Sequence, residues 1–147
     1  MIAIGSDHGG YALKEEMKKF LDQRKIPYQD FGTDSEASCD YPVYAEKVCR
    51  AVVSGGFEKG LLFCGTGIGI SIAANKVKGI RAAVCSDYYS AKYSRLHNDA
   101  NVLCLGGRVV GGGLAGELVE VFLATEFEGG ERHSRRVGMI AELENKE

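Results

Sequence analysis

The most informative stretch of this 147-residue sequence is Gly60-Leu61-Leu62-Phe63-Cys64-Gly65-Thr66-Gly67-Ile68-Gly69. Its first five residues favour a buried β-strand, and a helical pattern follows the glycine-rich part as far as about Val77. Glycines let a backbone approach an anion closely, and the amides at the start of the following helix point toward it. The stretch therefore predicts a strand–loop–helix unit with an anion site at the carboxyl end of the strand.

The same alternation of strand and helix patterns extends in both directions from this unit. Further strands are predicted at 2–5, 28–31, 80–85 and 101–105, and helices at about 42–53, 87–96 and 131–143. Two more helices follow from apolar residues that share one face, namely Leu13, Met17, Phe20 and Leu21 in the first, and Leu114, Leu118, Val121 and Phe122 in the second. Such alternation predicts the α/β class. We expect one domain over residues 1–147, a three-layer α/β/α sandwich around an open, Rossmann-like parallel sheet of about five strands.

Composition excludes several classes of protein. The chain is 45% hydrophobic, carries a formal net charge of −2 and has a pI of about 6.0. No extended basic patch suggests a nucleic-acid partner. No run approaches the ~18 apolar residues of a membrane span, and the start of the chain lacks the pattern of a signal peptide. We therefore expect a cytoplasmic protein with no nucleic-acid or membrane partner.

The five cysteines are odd in number, widely spaced and free of any C-x-x-C pair (Cys39, Cys49, Cys64, Cys85 and Cys104). This usage predicts free thiols rather than disulfides or a zinc site, so no metal is expected. Cys85 and Cys104 are interpreted as small buried apolar residues. Cys64 differs because it directly precedes the glycine loop. A helix N-terminus stabilises a thiolate, and a thiolate can act as a base or as a nucleophile.

In an open parallel sheet, ligands bind outside the carboxyl ends of the strands. Asp7 and His8 follow the first predicted strand, whereas His97 lies in Leu96-His97-Asn98-Asp99 at the end of a helix. Each histidine taken alone is more often structural than catalytic. Ser86-Asp87 follows the fourth strand and is interpreted as a helix N-cap.

Three arginines are candidates for binding a phosphate group. Arg132 and Arg136 are four residues apart, so one helix face presents both, and Arg108 follows the fifth predicted strand. A solvated charged face is the alternative interpretation of the first two. Glu131 is the only acidic residue adjacent to them in sequence, so the arginines are short of partners.

Three other classes of protein share parts of this pattern. A dinucleotide-binding fingerprint is G-x-G-x-x-G after a first strand, but here the last glycine comes one position early and the loop follows the third strand. A flavodoxin-like module would use the loop for a cofactor phosphate. A thiol-redox protein would use Cys64, but it has no resolving cysteine nearby. The last two alternatives leave His97 and the arginines without a role.

Taken together, five motifs resemble the type B ribose-5-phosphate isomerase family, which also includes allose- and galactose-6-phosphate isomerases. They are SDHGG, DYP at 40–42, FCGTGIGISIAANKVKGIRAA, LHNDANVLCLGGR and ERHSRR. The resemblance covers essentially the whole chain. Some relatives carry a glutamate base on the helix after the loop, but residues 70–74 contain no acid here. The chain is therefore similar to the cysteine-dependent branch.

The resemblance implies a reaction, an assembly and a set of roles. The reaction is the interconversion of ribose 5-phosphate and ribulose 5-phosphate through an enediolate, as in the pentose phosphate pathway, without a cofactor. Members of the family are dimers or tetramers with sites at the subunit interface. Catalytic roles fall to Cys64 as the base and to His97 and Thr66 in ring opening. Asp7 and Asn98 would bind sugar hydroxyls, His8 and the arginines would bind the phosphate, and the loop amides would bind the enediolate oxygens. The full set of substrate-binding residues implied by the resemblance is Asp7, His8, Tyr41, Gly65, Thr66, Gly67, Ile68, Gly69, Asn98, Arg108, Arg132 and Arg136.

Overall fold

The computed structural model describes residues 1–146, in which strands and helices alternate as the sequence predicts. In chain order the elements are β1 (Ile2–Ser6), α1 (Tyr11–Gln23), β2 (Tyr28–Asp30), α2 (Tyr41–Val53), β3 (Lys59–Cys64), α3 (Ile68–Ala74), β4 (Ala82–Val84), α4 (Tyr88–Leu96), β5 (Val102–Gly106), α5 (Gly112–Ala124) and α6 (Glu131–Leu143).

All five strands are parallel and form one sheet in the order β2-β1-β3-β5-β4. Ser6 of β1 pairs with Phe63 of β3, and Cys64 of β3 pairs with Gly106 of β5. The second strand, β2, pairs with one side of β1, and the third strand, β3, pairs with the other side of β1. The strand order therefore reverses between β1 and β3, which is where open α/β sheets bind ligands. The predicted α/β class and five-stranded parallel sheet are confirmed.

Side chains that alternate along the central strands build two separate cores. On one face Ile4, Phe63 and Leu105 pack with residues of α1, α4 and α5. On the other face Leu62 and Cys64 pack with residues of α2 and α3. The three strands β1, β3 and β5 are buried along nearly their whole length, as expected for strands covered by helices on both sides. These two cores give the predicted three layers.

The predicted boundaries differ from the observed ones by a few residues. The helix after the glycine loop ends at Ala74 rather than near Val77, because 75–80 turn back toward β4 with Val77 donating to Ala74. β4 covers only Ala82–Val84 instead of 80–85, since it is an edge strand paired on one side alone. Asp87 caps α4 as predicted, its carboxylate accepting a hydrogen bond from the Ser90 amide at 2.8 Å.

Helix α6 stands apart from both cores. None of its residues is buried. It begins beside the end of α4 and ends at the turn before β4, where the Gly79 amide donates to the Glu144 carboxylate at 2.9 Å. Among residues 1–146, none of the helices combines the length and the apolar character that a membrane crossing would demand.

Candidate active site

The crevice between the carboxyl ends of β1 and β3 gathers the first group of predicted residues. Asp7 follows β1, and its amide donates to the carbonyl of Phe63 at 3.1 Å. Its buried carboxylate accepts a hydrogen bond from the Gly10 amide at 3.0 Å. These two bonds fix the SDHGG turn against the end of β3, so that Asp7 and His8 lie beside Cys64.

Cys64 ends β3 and is only 4% exposed. The amide of Gly67 donates to its sulfur at 3.1 Å. A hydrogen bond from a backbone amide stabilises a thiolate, so the loop that would bind an anionic substrate also supports the predicted base. Gly67 has φ of +80°, a left-handed conformation that favours glycine and that lets its amide turn back toward the sulfur.

Tyr41 and Arg108 pack directly on the glycine loop. A side chain at Gly69 would lie within 2.8 Å of the Tyr41 ring, and one at Gly65 would lie within 2.9 Å of the Arg108 guanidinium. The Arg108 amide donates to the carbonyl of Gly65 at 3.0 Å. Because Gly65 and Gly69 have no side chains, Arg108 and Tyr41 can lie against the loop at the rim of the crevice.

The orientation of His8 is set by the polar loop after β2. The backbone amide of Cys39 donates to Nδ1 of His8 at 3.2 Å. Nδ1 must then be the unprotonated nitrogen, so in the neutral ring Nε2 carries the proton and can donate to an anion. Sequence reasoning did not assign Cys39 a role in the site, because a contact made by a backbone amide leaves no signature in residue type.

The other buried cysteines are poorly suited to act as a base at neutral pH. Burial raises the pKa of Cys49 to about 12 and that of Cys85 to about 11. Burial also raises the pKa of Cys104 well above its usual value. All five cysteines are free, as predicted. Cys85 and Cys104 are buried apolar residues, as the sequence indicates.

The second group of predicted residues lies at the opposite edge of the sheet. His97 caps the carboxyl end of α4, and Asn98 follows it at the approach to β5. The Asn98 carbonyl accepts from Arg81, which leads into β4. Arg132 and Arg136 are exposed on α6, which begins beside His97.

The predicted site residues of one chain therefore fall into two separate groups. Residues of the glycine loop lie at the carboxyl edge, whereas His97, Asn98, Arg132 and Arg136 lie at the amino edge. The five residues of β5 alone separate the edges by roughly 16 Å at about 3.3 Å per residue. Within a single chain His97 cannot work on a substrate that lies against Cys64.

A cluster at the amino edge escaped the sequence analysis. Nε2 of His97 lies 3.8 Å from one carboxylate oxygen of Glu128, and Nε2 of His133 lies 3.9 Å from the other. The two imidazole rings are stacked with centroids 4.1 Å apart. These residues are up to 36 positions apart in sequence, so no local pattern could have indicated that they meet.

Comparison with known proteins places this chain in a family. The model of the Ribose/Galactose Isomerase family matches residues 2–140. The chain is 51% identical over 145 residues to ribose-5-phosphate isomerase B of Escherichia coli, across 99% of this chain and 97% of that protein. The ribose-5-phosphate isomerase B structure from Clostridium thermocellum has a TM-score of 0.96 at 57% identity, covering 99% of this chain and 97% of that one. The enzyme from Mycoplasma genitalium, solved with bound ribulose 5-phosphate, has a TM-score of 0.93 at 39% identity, covering 99% and 97%.

The fold and these comparisons define an aldose–ketose isomerase that acts on a phosphorylated sugar. The chain belongs to the Ribose/Galactose Isomerase family. The resemblance to type B ribose-5-phosphate isomerases and the isomerase activity predicted from it are thus confirmed.

Proposed function

We propose that the chain interconverts ribose 5-phosphate and ribulose 5-phosphate, with Cys64 as the base, in a site completed by a second copy of the chain. The observation that carries the proposal is the position of the Cys64 sulfur, at the β1–β3 reversal and hydrogen-bonded by the glycine loop. The Mycoplasma genitalium relative, which binds ribulose 5-phosphate, supports this choice of substrate. The cytoplasmic location and the lack of a coenzyme stay predictions.

In the proposed reaction Cys64 moves one proton between two carbons. The thiolate removes the proton from C2 of the open-chain aldose, and the C2–H electrons form a C1–C2 double bond as charge moves onto O1. The thiol then returns the proton to C1, while the proton on O2 passes to O1, so that O2 becomes the ketone oxygen and O1 the hydroxyl of the ketose. This step needs a positioned base and preorganised donors where negative charge develops.

The loop amides divide between two tasks. The Gly67 amide donates to the Cys64 sulfur and the Ile68 amide donates to the Thr66 hydroxyl, both at 3.1 Å. We therefore assign the enediolate oxygens to the amides of Gly65, Thr66 and Gly69. His8 and Arg108 offer donors for the phosphate at the same edge, and the binding energy of this remote group holds the reacting carbons in place.

The second copy would supply His97, Asn98, Arg132 and Arg136. Its docking surface is the exposed face of α6, where Met139 is 56%, Ile140 44% and Leu143 62% exposed. Helical spacing places these apolar residues on the same face as Arg132 and Arg136. A groove of about 710 Å³ separates the C-terminal half of α6 from the loop before β4, and Asn98 lines it. Packing this face against a partner would bury the apolar residues and bring the arginines to a glycine loop.

Replacing Leu143 with glutamate should dissociate the assembly and greatly reduce activity. A charge at the centre of an apolar contact is left unpaired on association, whereas in the separate chain Leu143 is exposed and the fold is retained. Sedimentation velocity measures the state of assembly. Ala141→Glu adds the same charge to an exposed position on the other side of α6 and is the control. A fully active monomer of either variant, or of the unmodified chain, would contradict a shared site.

Replacing Arg136 with alanine should raise KM by ~10- to 100-fold and change kcat much less. Hydrogen bonds to a charged group are worth about 1.5–3 kcal/mol, and the phosphate is bound equally in ground and transition states. Inorganic phosphate should lose potency as an inhibitor to the same degree. Arg135→Ala removes a neighbouring exposed charge that is off the shared face and is the matched control. Equal effects in both variants would mean that the cluster acts only through its general charge.

The substrate itself is tested by coupled assays with ribose 5-phosphate, allose 6-phosphate and galactose 6-phosphate. We expect the highest kcat/KM with ribose 5-phosphate. A higher value with either hexose phosphate would overturn the proposed substrate and leave the reaction type standing.

A further inference from the structure

The His97–Glu128–His133 cluster contains the donors of a transition-metal site. Two imidazole nitrogens and one carboxylate oxygen form a set that zinc accepts with a fourth position left for water. The three ligand atoms lie within 4.8 Å of one another. They come from three segments, since His97 caps α4, Glu128 lies in the α5–α6 loop and His133 belongs to the first turn of α6.

These three segments are held together independently of any ion. The amide of Glu128 donates to the carbonyl of Leu96 at 3.1 Å, which fixes the loop to the end of α4. Tyr93 packs edge-on against His97, with centroids 4.8 Å apart, and His97 stacks on His133. The three side chains are therefore largely ordered before an ion binds, which lowers the conformational entropy lost on binding.

The observed distances leave room for a cation between the three groups. At 3.8 and 3.9 Å the imidazole nitrogens are too far from Glu128 for hydrogen bonds. Ligand atoms of a tetrahedral zinc site, at bonds of about 2.0–2.1 Å, are ~3.3 Å apart. Small side-chain rotations that tilt the stacked rings toward each other would close this difference. In the separate chain an ion can reach the three groups from solvent, because the side chains of His97 and Glu128 are 38% and 51% exposed.

We propose that His97, Glu128 and His133 bind Zn²⁺, and that the bound ion inhibits isomerisation by withdrawing His97. Coordination occupies the Nε2 lone pair that would carry a proton during ring opening, so the liganded chain loses that step. The inhibitory part of the inference rests on the proposed function, whereas the binding part does not. The proposed isomerisation uses no metal, so this ion would regulate the enzyme without being a cofactor.

Binding is tested first, without substrate, by titrating the metal-free protein with Zn²⁺ against a chromophoric chelator. We expect one ion per chain. Loss of an outer-shell partner of a metal ligand typically costs ~10–100-fold in affinity, so His133→Gln and Glu128→Gln should each cost at least ~10-fold. Glu126→Gln, an exposed acid in the same loop, is the control and should change little. Unchanged affinity in both ligand variants would overturn the site.

Cobalt and kinetics supply two further readouts. Co²⁺ bound to nitrogen and oxygen shows d–d bands without a sulfur-to-cobalt charge-transfer band, and a charge-transfer band would assign the ion to Cys64 or Cys39 and overturn the proposal. Zn²⁺ should inhibit ribose 5-phosphate isomerisation, with an inhibition constant raised at least ~10-fold in both ligand variants relative to the wild type. Inhibition that is equally strong in these variants would overturn the regulatory role. If the wild-type protein binds Zn²⁺ but its metal-free form shows no isomerase activity, the result would instead count against the proposed function.

Discussion

Replacing Cys64 with alanine should lower the rate of proton exchange at C2 of the substrate by ~10²–10⁴-fold, the usual contribution of a general base. The effect should fall on kcat, because a base acts mainly in the transition state, and inorganic phosphate should inhibit the residual activity as before. Solvent deuterium incorporation at C2 is the measurement, since it follows the proton transfer whether or not product is released.

Two other cysteines provide matched controls for this prediction. Cys104 lies on the same face of the neighbouring strand and is fully buried, and Cys85 is 5% exposed. Burial raises the pKa of both thiols, so at neutral pH neither is ionised to act as a base. Their alanine variants should lose stability and keep their exchange rate once folded. Exchange near the wild-type rate in Cys64→Ala would place the base elsewhere.

Most of the fold could be predicted because each element carries its own periodic pattern. The alternation of Leu61, Leu62, Phe63 and Cys64 between two cores explains why β3 reads as a continuous apolar run. The limits of β4 could not be predicted so well. Its residues are only partly covered, and its length is decided by pairing with β5 on one side, which no local pattern encodes.

The site could be predicted only in part, for a reason of geometry. Asp7, Cys64 and Arg108 each lie at or just after the end of a strand, so the rule for parallel sheets brings them to one edge from sequence alone. The His97–Glu128–His133 contact depends instead on how the α5–α6 loop returns to the end of α4. Sequence reasoning grouped His97 with Cys64 through family resemblance, and the structure places them at opposite edges of the same chain.

Replacing His97 with asparagine should reduce turnover of cyclic ribose 5-phosphate by ~10²–10⁴-fold and affect ribulose 5-phosphate, which is already linear, much less at its proton-exchange step. Ring opening needs a proton to reach the ring oxygen as another leaves the anomeric hydroxyl, and an imidazole suits both transfers. If His97 only interacted with the backbone carbonyls at the end of α4, its replacement would instead lower the stability of the fold and affect both substrates equally. Equal loss of exchange on both, in a folded variant, would remove His97 from this role.

The two inactive variants together decide whether the site is shared. In a dimer formed by mixing Cys64→Ala chains with His97→Asn chains, one crevice would carry both altered residues and the other would pair a native Cys64 with a native His97. Random assembly makes half of the dimers mixed, so about a quarter of all sites, and about a quarter of the wild-type activity, should return. If both residues served the crevice of their own chain, every site would contain one altered residue and mixing would restore nothing. Co-refolding the two variants and assaying ribose 5-phosphate isomerisation therefore separates the two arrangements without an interface mutation. The β-sheet that holds Cys64 and His97 at opposite edges leads us to expect the recovery.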